Sequence, residues 1–490
     1  MIGLLLFLLA GGFIFREMYW KRRKLPPGPM PLPFIGNMHT VFKHEPGYDA
    51  YINWKKQYGP VYTYWLGPYA NVVIADYETM KETIVRDGDK YANRFHSETM
   101  IEYRDGIYGV VEADGDLWKE QRKFALHTLR DFGMGKNLME QKVMTEVTHL
   151  LDRISNQSGI AAQWEFDVAV GSIINSLLFG YRYEEENLAE FKELKGLLGD
   201  HMKIVASPTG GLVLMLPWTR PLPYFKEAHA KILYIRDRIL NCFRRQLADR
   251  RLPIETEFDT PSVDFVEAYL KEQQKKKDEP DFGGFSMKQL ENVIFDLWIA
   301  GMETTSNTLT WGLAFILNDD DVQRKIHEEL DSALKSDRLV TLADKPNLNY
   351  INATICEIQR LANLLPMNLI HQTTEDVTIN GHFLEAGTNV IPQISCVLFD
   401  EKIFPEPQSF KPERFLNPDG SLRKVEELIP FSLGKRQCLG EGLARMELFL
   451  FVANIFQKFK VTSPTRPSLK KSFGFTVQTA PYTCNFAERF

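Results

Sequence analysis

The feature that most constrains the fold is an unusually long helical stretch. Ser286 and Gln289 have capping-box spacing. The apolar pattern they open runs on to about Asn318, some 33 residues. At 1.5 Å per residue such a helix is ~50 Å long, the width of a whole domain, so it must cross the core. Its middle reads Ala300-Gly301-Met302-Glu303-Thr304-Thr305. A mid-helix glycine costs ~1 kcal/mol against alanine. A glutamate there is costly unless it is paired. Local rules that fail together in this way tend to mark function.

Around this helix the chain predicts a mainly α fold with a smaller β-rich part. Val322, Ile326, Leu330 and Leu334 form a core stripe at helical spacing. Val61 to Leu66 and Asn71 to Ala75, joined at Gly67-Pro68, predict a strand hairpin. Lys271 to Pro280 (KEQQKKKDEP) is charged and unpatterned, which predicts a solvated linker. Thr209 to Pro217 (TGGLVLMLP) is apolar and broken by glycine. It dips into a membrane, caps a pocket or joins the core. No repeat or composition break interrupts residues 34–490, which read as one domain.

The N-terminus is set apart. Residues 1–20 open with fifteen uncharged residues, MIGLLLFLLAGGFIF. A helix of that length covers ~22 Å and needs extension to Trp20 to approach the ~30 Å hydrocarbon core. Lys21 to Lys24 follow, so the positive charge predicts a lumenal N-terminus and a cytosolic body. A cleaved signal peptide is the competing reading, and the basic leading region it needs is missing. Residues 21–33 are basic and then proline-rich, which predicts a stiff extended spacer. The balance of 58 basic and 64 acidic residues leaves a net charge of −6, with no basic field for nucleic acid. Five scattered cysteines, with no C-x-x-C pair, predict reduced thiols facing the cytosol.

One cysteine stands out. In Phe431 to Gly440, FSLGKRQCLG, Cys438 is flanked by Gly434, Arg436 and Gly440. The glycines permit a tight loop and close approach by a flat ligand. Leu443, Met446 and Leu450 predict a helix beginning just after, and a helix N-terminus stabilises a thiolate. Such a thiolate can ligate iron axially, and Arg436 can pair with a carboxylate of the same ligand.

These residues resemble the heme-binding loop F-x-x-G-x-R-x-C-x-G of the cytochrome P450 monooxygenases, with Phe431, Gly434, Arg436, Cys438 and Gly440 at its fixed positions. Further signatures occur in order: the P-P-G-P run, W-x-x-x-R at Trp118 and Arg122, A-G-x-E-T-T at Ala300 to Thr305, E-x-x-R at Glu357 and Arg360, and P-E-R-F at Pro412 to Phe415. In detail the chain is similar to the animal microsomal branch that oxidises drugs and fatty acids. The resemblance implies heme b with Cys438 as iron ligand, shielded by Phe431, while Gly434 and Gly440 keep the loop off the porphyrin. It implies propionate partners in Trp118, Arg122, His371 and Arg436, with His371 the least distinctive. It also places Ala300 against the heme, makes Gly301 the opening of an oxygen groove, and gives Glu303 and Thr304 to proton delivery. Glu357, Arg360 and Arg414 would brace the cysteine loop. The substrate pocket would draw on residues 95–111, Phe295, Asp296, Ile299, residues 365–370, Phe475 and Thr476, with Asp296 either holding a substrate or capped by the protein.

The resemblance further implies O2 and NADPH as co-substrates. No dinucleotide fingerprint is evident in this chain, so electrons would come from NADPH-cytochrome P450 reductase, with cytochrome b5 as a second donor. Arg122, Lys123, Arg130 and Lys435 would form the docking patch. It implies an endoplasmic reticulum membrane location and an apolar small-molecule substrate: a fatty acid, steroid or xenobiotic. A heme-thiolate isomerase or dehydratase acting on a peroxide is the alternative, and it would have no need of Glu303 and Thr304.

Overall fold

In the computed structural model, residues 2–133, 137–248, 250, 260–472 and 474–490 are described. The long helix spans Met287–Leu317, and Ser286 accepts from the Gln289 N–H as its cap. Nearly every face of it is buried, and polar residues such as Asn292, Asp296, Glu303 and Asn307 are buried along with the apolar ones rather than set apart from a single apolar stripe. Helices Ala162–Phe179, Asn349–Ala362, Glu441–Lys458 and Pro223–Ala248 pack against it. Gly301 permits one of these contacts, because a Cβ there would lie 2.5 Å from Ile174 Cδ1.

The β-rich part is one five-stranded sheet with two small hairpins. Val61–Leu66 pairs antiparallel with Tyr69–Ile74, in register from Val61 opposite Ile74 to Leu66 opposite Tyr69. Tyr69–Ile74 then runs parallel to Asn389–Pro392. His371–Gln372 and Asn93–Arg94 complete the sheet, with Arg94 directly opposite His371. Helix Asp320–Leu334 buries Val322, Ile326, Leu330 and Leu334 as their spacing predicts.

One expectation about the connecting segments changes and two are sharpened. The charged stretch after Lys271 is not a linker from its start: helix Phe265–Lys275 includes it, and Lys271 is buried, donating to the Thr260 carbonyl at 2.9 Å. Phe265, Val266, Tyr269 and Leu270 supply the apolar face that draws it in. The glycine-broken segment forms helix Pro208–Met215, and Leu214 and Met215 line a cavity, so it caps a pocket. The proline spacer is docked rather than free: the Thr63 N–H donates to the Pro27 carbonyl at 2.9 Å. Gly28 is needed there, since a Cβ would meet the Thr63 carbonyl carbon at 2.8 Å. Helix Ile2–Met18 precedes it, and among the described residues no helix is long and apolar enough to cross a membrane.

Candidate active site

The cysteine loop is shaped by its backbone. Gly434 adopts φ +78°, and the Cys438 N–H returns to the Phe431 carbonyl at 3.1 Å. Helix Glu441–Lys458 begins straight after, with Gly440 as its N-cap, and Leu443, Met446 and Leu450 are buried. Burial pushes the Cys438 thiol above its ordinary pKa, opposed by the Gly440 and Glu441 N–H groups and by Arg122. The residue is nevertheless exposed. Ala300, mid-way along the buried central helix, is exposed as well. Residues that are both deep in the fold and open border an internal gap.

A cationic cluster stands beside the loop. Arg436 donates to the Ala92 and Ala113 carbonyls at 2.6 Å each and to Asp114 Oδ1 at 3.0 Å, and its guanidinium lies 3.9 Å from the centre of the Trp118 ring. Arg122, one turn after Trp118, donates to the Gln437 carbonyl at 2.6 Å. Arg94 joins them from the sheet edge. Burial first, then the neighbouring guanidiniums, depress the pKa of Arg436 to about 9. Burial depresses Arg94 to about 10. His371 is buried between them, its Nδ1 2.8 Å from the Tyr91 carbonyl. Burial, Arg94 and Arg436 hold it neutral. The Trp118 Nε1–H is buried without an acceptor. An unspent donor and guanidiniums that depress one another fit an anionic, carboxylate-bearing ligand. An open sulfur and an open Ala300 fit its flat body, so these residues suit a heme.

Arg94 is the member that sequence reading missed. Its signal is long-range: the strand register sets it opposite His371, 277 positions away in the chain. Gly440 differs from Gly434. It has φ −89°, and a Cβ there would meet nothing within 4 Å. Gly434 is required instead by the Ile84 backbone, whose carbonyl carbon a Cβ would meet at 2.9 Å.

On the central helix, Thr304 is half-buried and donates to the Ala300 carbonyl at 2.6 Å. Glu303, expected beside it as a proton group, is turned into a buried network instead. It accepts from Lys195 Nζ at 2.9 Å, Gln478 Nε2 at 2.8 Å and Asn307 Nδ2 at 3.0 Å. Burial opposes its ionisation, but Lys195 and the hydrogen bonds prevail and lower its pKa. Adjacent helical residues differ by 100° in direction, which separates the two side chains. Gly301 lies against Ile174, whose Cδ1 an added Cβ would meet at 2.5 Å. Asp296 is capped by the protein: it pairs with Arg104 at 2.7 Å and accepts from the Val110 and Val111 N–H groups.

Glu357 is fully buried and accepts from Arg360 at 2.7 and 2.9 Å and from Arg414 at 3.0 Å, as the motif spacing suggests. Phe431 lies under the Arg445 guanidinium. In the expected docking patch, Arg122 is committed to Gln437, Lys435 pairs with Asp89, and Lys123 and Arg130 are exposed. A cavity of about 250 Å³ shares Arg94 with the guanidinium cluster and is walled by residues such as Phe95, Met100, Val111, Leu214, Ile370 and Phe475.

Comparison with known proteins agrees with this geometry. The family model described as Cytochrome P450 matches residues 26–486. The chain is similar to cytochrome P450 2A10 of Oryctolagus cuniculus, at 35% identity over 484 residues, covering 96% of this chain and 95% of that protein. It is similar to cytochrome P450 2A13 of Homo sapiens, at 34% identity with the same shares covered. It is similar to cytochrome P450 2C29 of Mus musculus, at 36% identity over 91% of this chain and 90% of that protein.

Proposed function

The chain belongs to the cytochrome P450 family, and from that premise we propose that the Cys438 thiolate would hold the heme iron and that the chain oxidises an apolar organic molecule such as a fatty acid, steroid or xenobiotic. It is a heme-thiolate monooxygenase that uses O2 and electrons from NADPH. Bound heme b supplies the oxygen chemistry, one atom of O2 entering the substrate and the other leaving as water, and thiolate ligation favours O–O cleavage.

The observation that carries this reading is a sulfur set deep in the fold yet open, at the head of a helix whose N–H groups face it. The protein's part is to hold and to deliver. Gly440 and Glu441 N–H groups stabilise the thiolate. Trp118, Arg122, Arg94, Arg436 and His371 would hold the heme carboxylates. Thr304 offers a hydroxyl on the open side of the helix and positions a water or proton there. Glu303, held ionised by Lys195, Gln478 and Asn307, anchors the helix turn that presents Thr304. The apolar cavity excludes water and admits the substrate.

Electrons arrive from NADPH-cytochrome P450 reductase, with cytochrome b5 as a second donor, and Lys123 and Arg130 serve as the docking charges. The enzyme sits on the endoplasmic reticulum membrane with its body in the cytosol. Leu8, Leu9 and Phe13 of the first helix are exposed, as are Trp218, Leu222 and Tyr224. Phe34 stacks on Phe13 at 5.4 Å and meets Trp218 at 5.9 Å, joining the two patches into one apolar face.

The test is a carbon monoxide difference spectrum of the dithionite-reduced full chain in membranes, with turnover measured in the presence of reductase and NADPH. A strongly red-shifted Soret band that disappears in Cys438→Ala is expected. Persistence of that band in the variant, or product formation without NADPH, would overturn the assignment.

A further inference from the structure

Two ionised side chains, Arg94 and Glu112, reach the wall of the 250 Å³ cavity, whose lining is otherwise apolar or uncharged. Arg94 is committed. Its guanidinium belongs to the cationic cluster beside the cysteine loop, with the Val111 and Ile370 carbonyls only at 3.3 and 3.4 Å, so its charge is placed toward that cluster's ligand. Glu112 is not. Among the described residues its ion-pair partner is His96, whose Nδ1 stands 3.4 Å from Oε2. That is well beyond the 2.7–2.9 Å of a strong charge-assisted hydrogen bond. The His96 proton that does make such a bond goes the other way, from Nε2 to Asp114 Oδ2 at 2.8 Å. Glu112 is nonetheless ionised: burial opposes its charge, but His96, Arg104 and Arg94 outweigh burial and hold the carboxyl below its ordinary range.

Held ionised by its cationic neighbours but engaged by none of them at short range, Glu112 keeps acceptor lone pairs free for a donor on a ligand in the apolar chamber. We propose that Glu112 selects, among the apolar molecules this chamber admits, those that carry a hydrogen-bond donor, a protonated amine or a hydroxyl, on an otherwise apolar body. This rests on the monooxygenase reading above and narrows its substrate class. A ligand carboxylate is disfavoured, because it would bring a second negative charge to Glu112 in a medium of low dielectric.

The test uses four probes of equal length: a phenylalkane, the corresponding phenylalkanol, a phenylalkanoate, and a tertiary amine too hindered for its nitrogen to reach iron. Binding to the holoenzyme is read by the substrate-induced Soret shift and, independently, by equilibrium dialysis. Glu112→Leu is expected to weaken the amine and the alcohol about tenfold or more, to leave the alkane unchanged or tighter, and to tighten the carboxylate. Glu112→Gln, which keeps the shape and one acceptor, is expected to weaken the amine by about the same factor and the alcohol much less. A uniform change across the four probes, or none, in variants that keep the carbon monoxide band would overturn the assignment of Glu112. Loss of that band in the unsubstituted enzyme would instead count against the heme-thiolate reading.

Discussion

Replacing Gly434 by alanine tests how the cysteine loop is held. The residue has φ +78°, a conformation that costs an L side chain about 1–2 kcal/mol. The added Cβ would stand 2.8 Å from Ile84 Cγ2 and 2.9 Å from the Ile84 carbonyl carbon, with the carbonyl oxygen nearer still. Carbon contacts are comfortable at about 3.5–4.0 Å, so the loop must retreat by roughly 1 Å. Arg436 and Cys438 are two and four residues on. A shift of that size breaks the 2.6 Å bonds from Arg436 to Ala92 and Ala113 and misplaces the sulfur. The combined cost is about 2–5 kcal/mol, given 1–3 kcal/mol for an overpacked contact. Gly440→Ala is the control, since no atom lies within 4 Å of its Cβ and its φ is ordinary. The assay is the carbon monoxide band per unit protein, together with the urea midpoint. Gly434→Ala should lose most of the band and lower the midpoint, whereas Gly440→Ala should keep its stability within about 1 kcal/mol. A Gly434→Ala protein with a full band and an unchanged midpoint would refute the steric reasoning.

Other consequences follow from the same geometry. Glu357→Ala strands Arg360 and Arg414 in the interior and should cost about 3–5 kcal/mol by urea denaturation; a loss under about 1 kcal/mol would show the network to be dispensable. Thr304→Ala removes the hydroxyl from the open side of the central helix and should raise the peroxide released per NADPH oxidised severalfold, with substrate affinity little changed; an unaltered ratio takes Thr304 out of proton delivery. His96 is raised to about 9: burial opposes the charge, and the hydrogen bond to Asp114 together with the negative charges of Asp114 and Glu112 overcomes it. Its folded pKa exceeds its unfolded one, so its stabilisation is complete below about pH 6.5 and is lost as pH rises through about 9. Discounted for solvent screening, this amounts to about 1–2 kcal/mol. The urea midpoint of the unsubstituted protein should therefore fall between pH 7 and 9.5 by more than that of His96→Gln, and parallel curves would exclude the assignment.

Much was readable from sequence because the information is local. Ser286 and Gln289 announce the start of the central helix by an interaction three residues long. Glu357 and Arg360 share a helix face by their spacing. The loop around Cys438 is contiguous, so its glycines, arginine and following helix can be read together. The charged tail after Lys271 misled for the same reason: composition in a short window says nothing of the neighbours that bury Lys271 and Gln273.

Elsewhere the decisive partners are distant in the chain, and only folding brings them together. Arg94 enters the guanidinium cluster because an antiparallel register sets it opposite His371. Glu303 is claimed by Lys195 and Gln478, 108 residues before it and 175 after. Asp296 is claimed by Arg104, and Glu112 is left facing a cavity. Sequence therefore determined the family, the long helix and the loop around Cys438, each written in neighbouring residues. Tertiary structure decided which buried charges are paired and which remain open, because ion pairing depends on distance in space, and that distance is set by packing rather than by order along the chain.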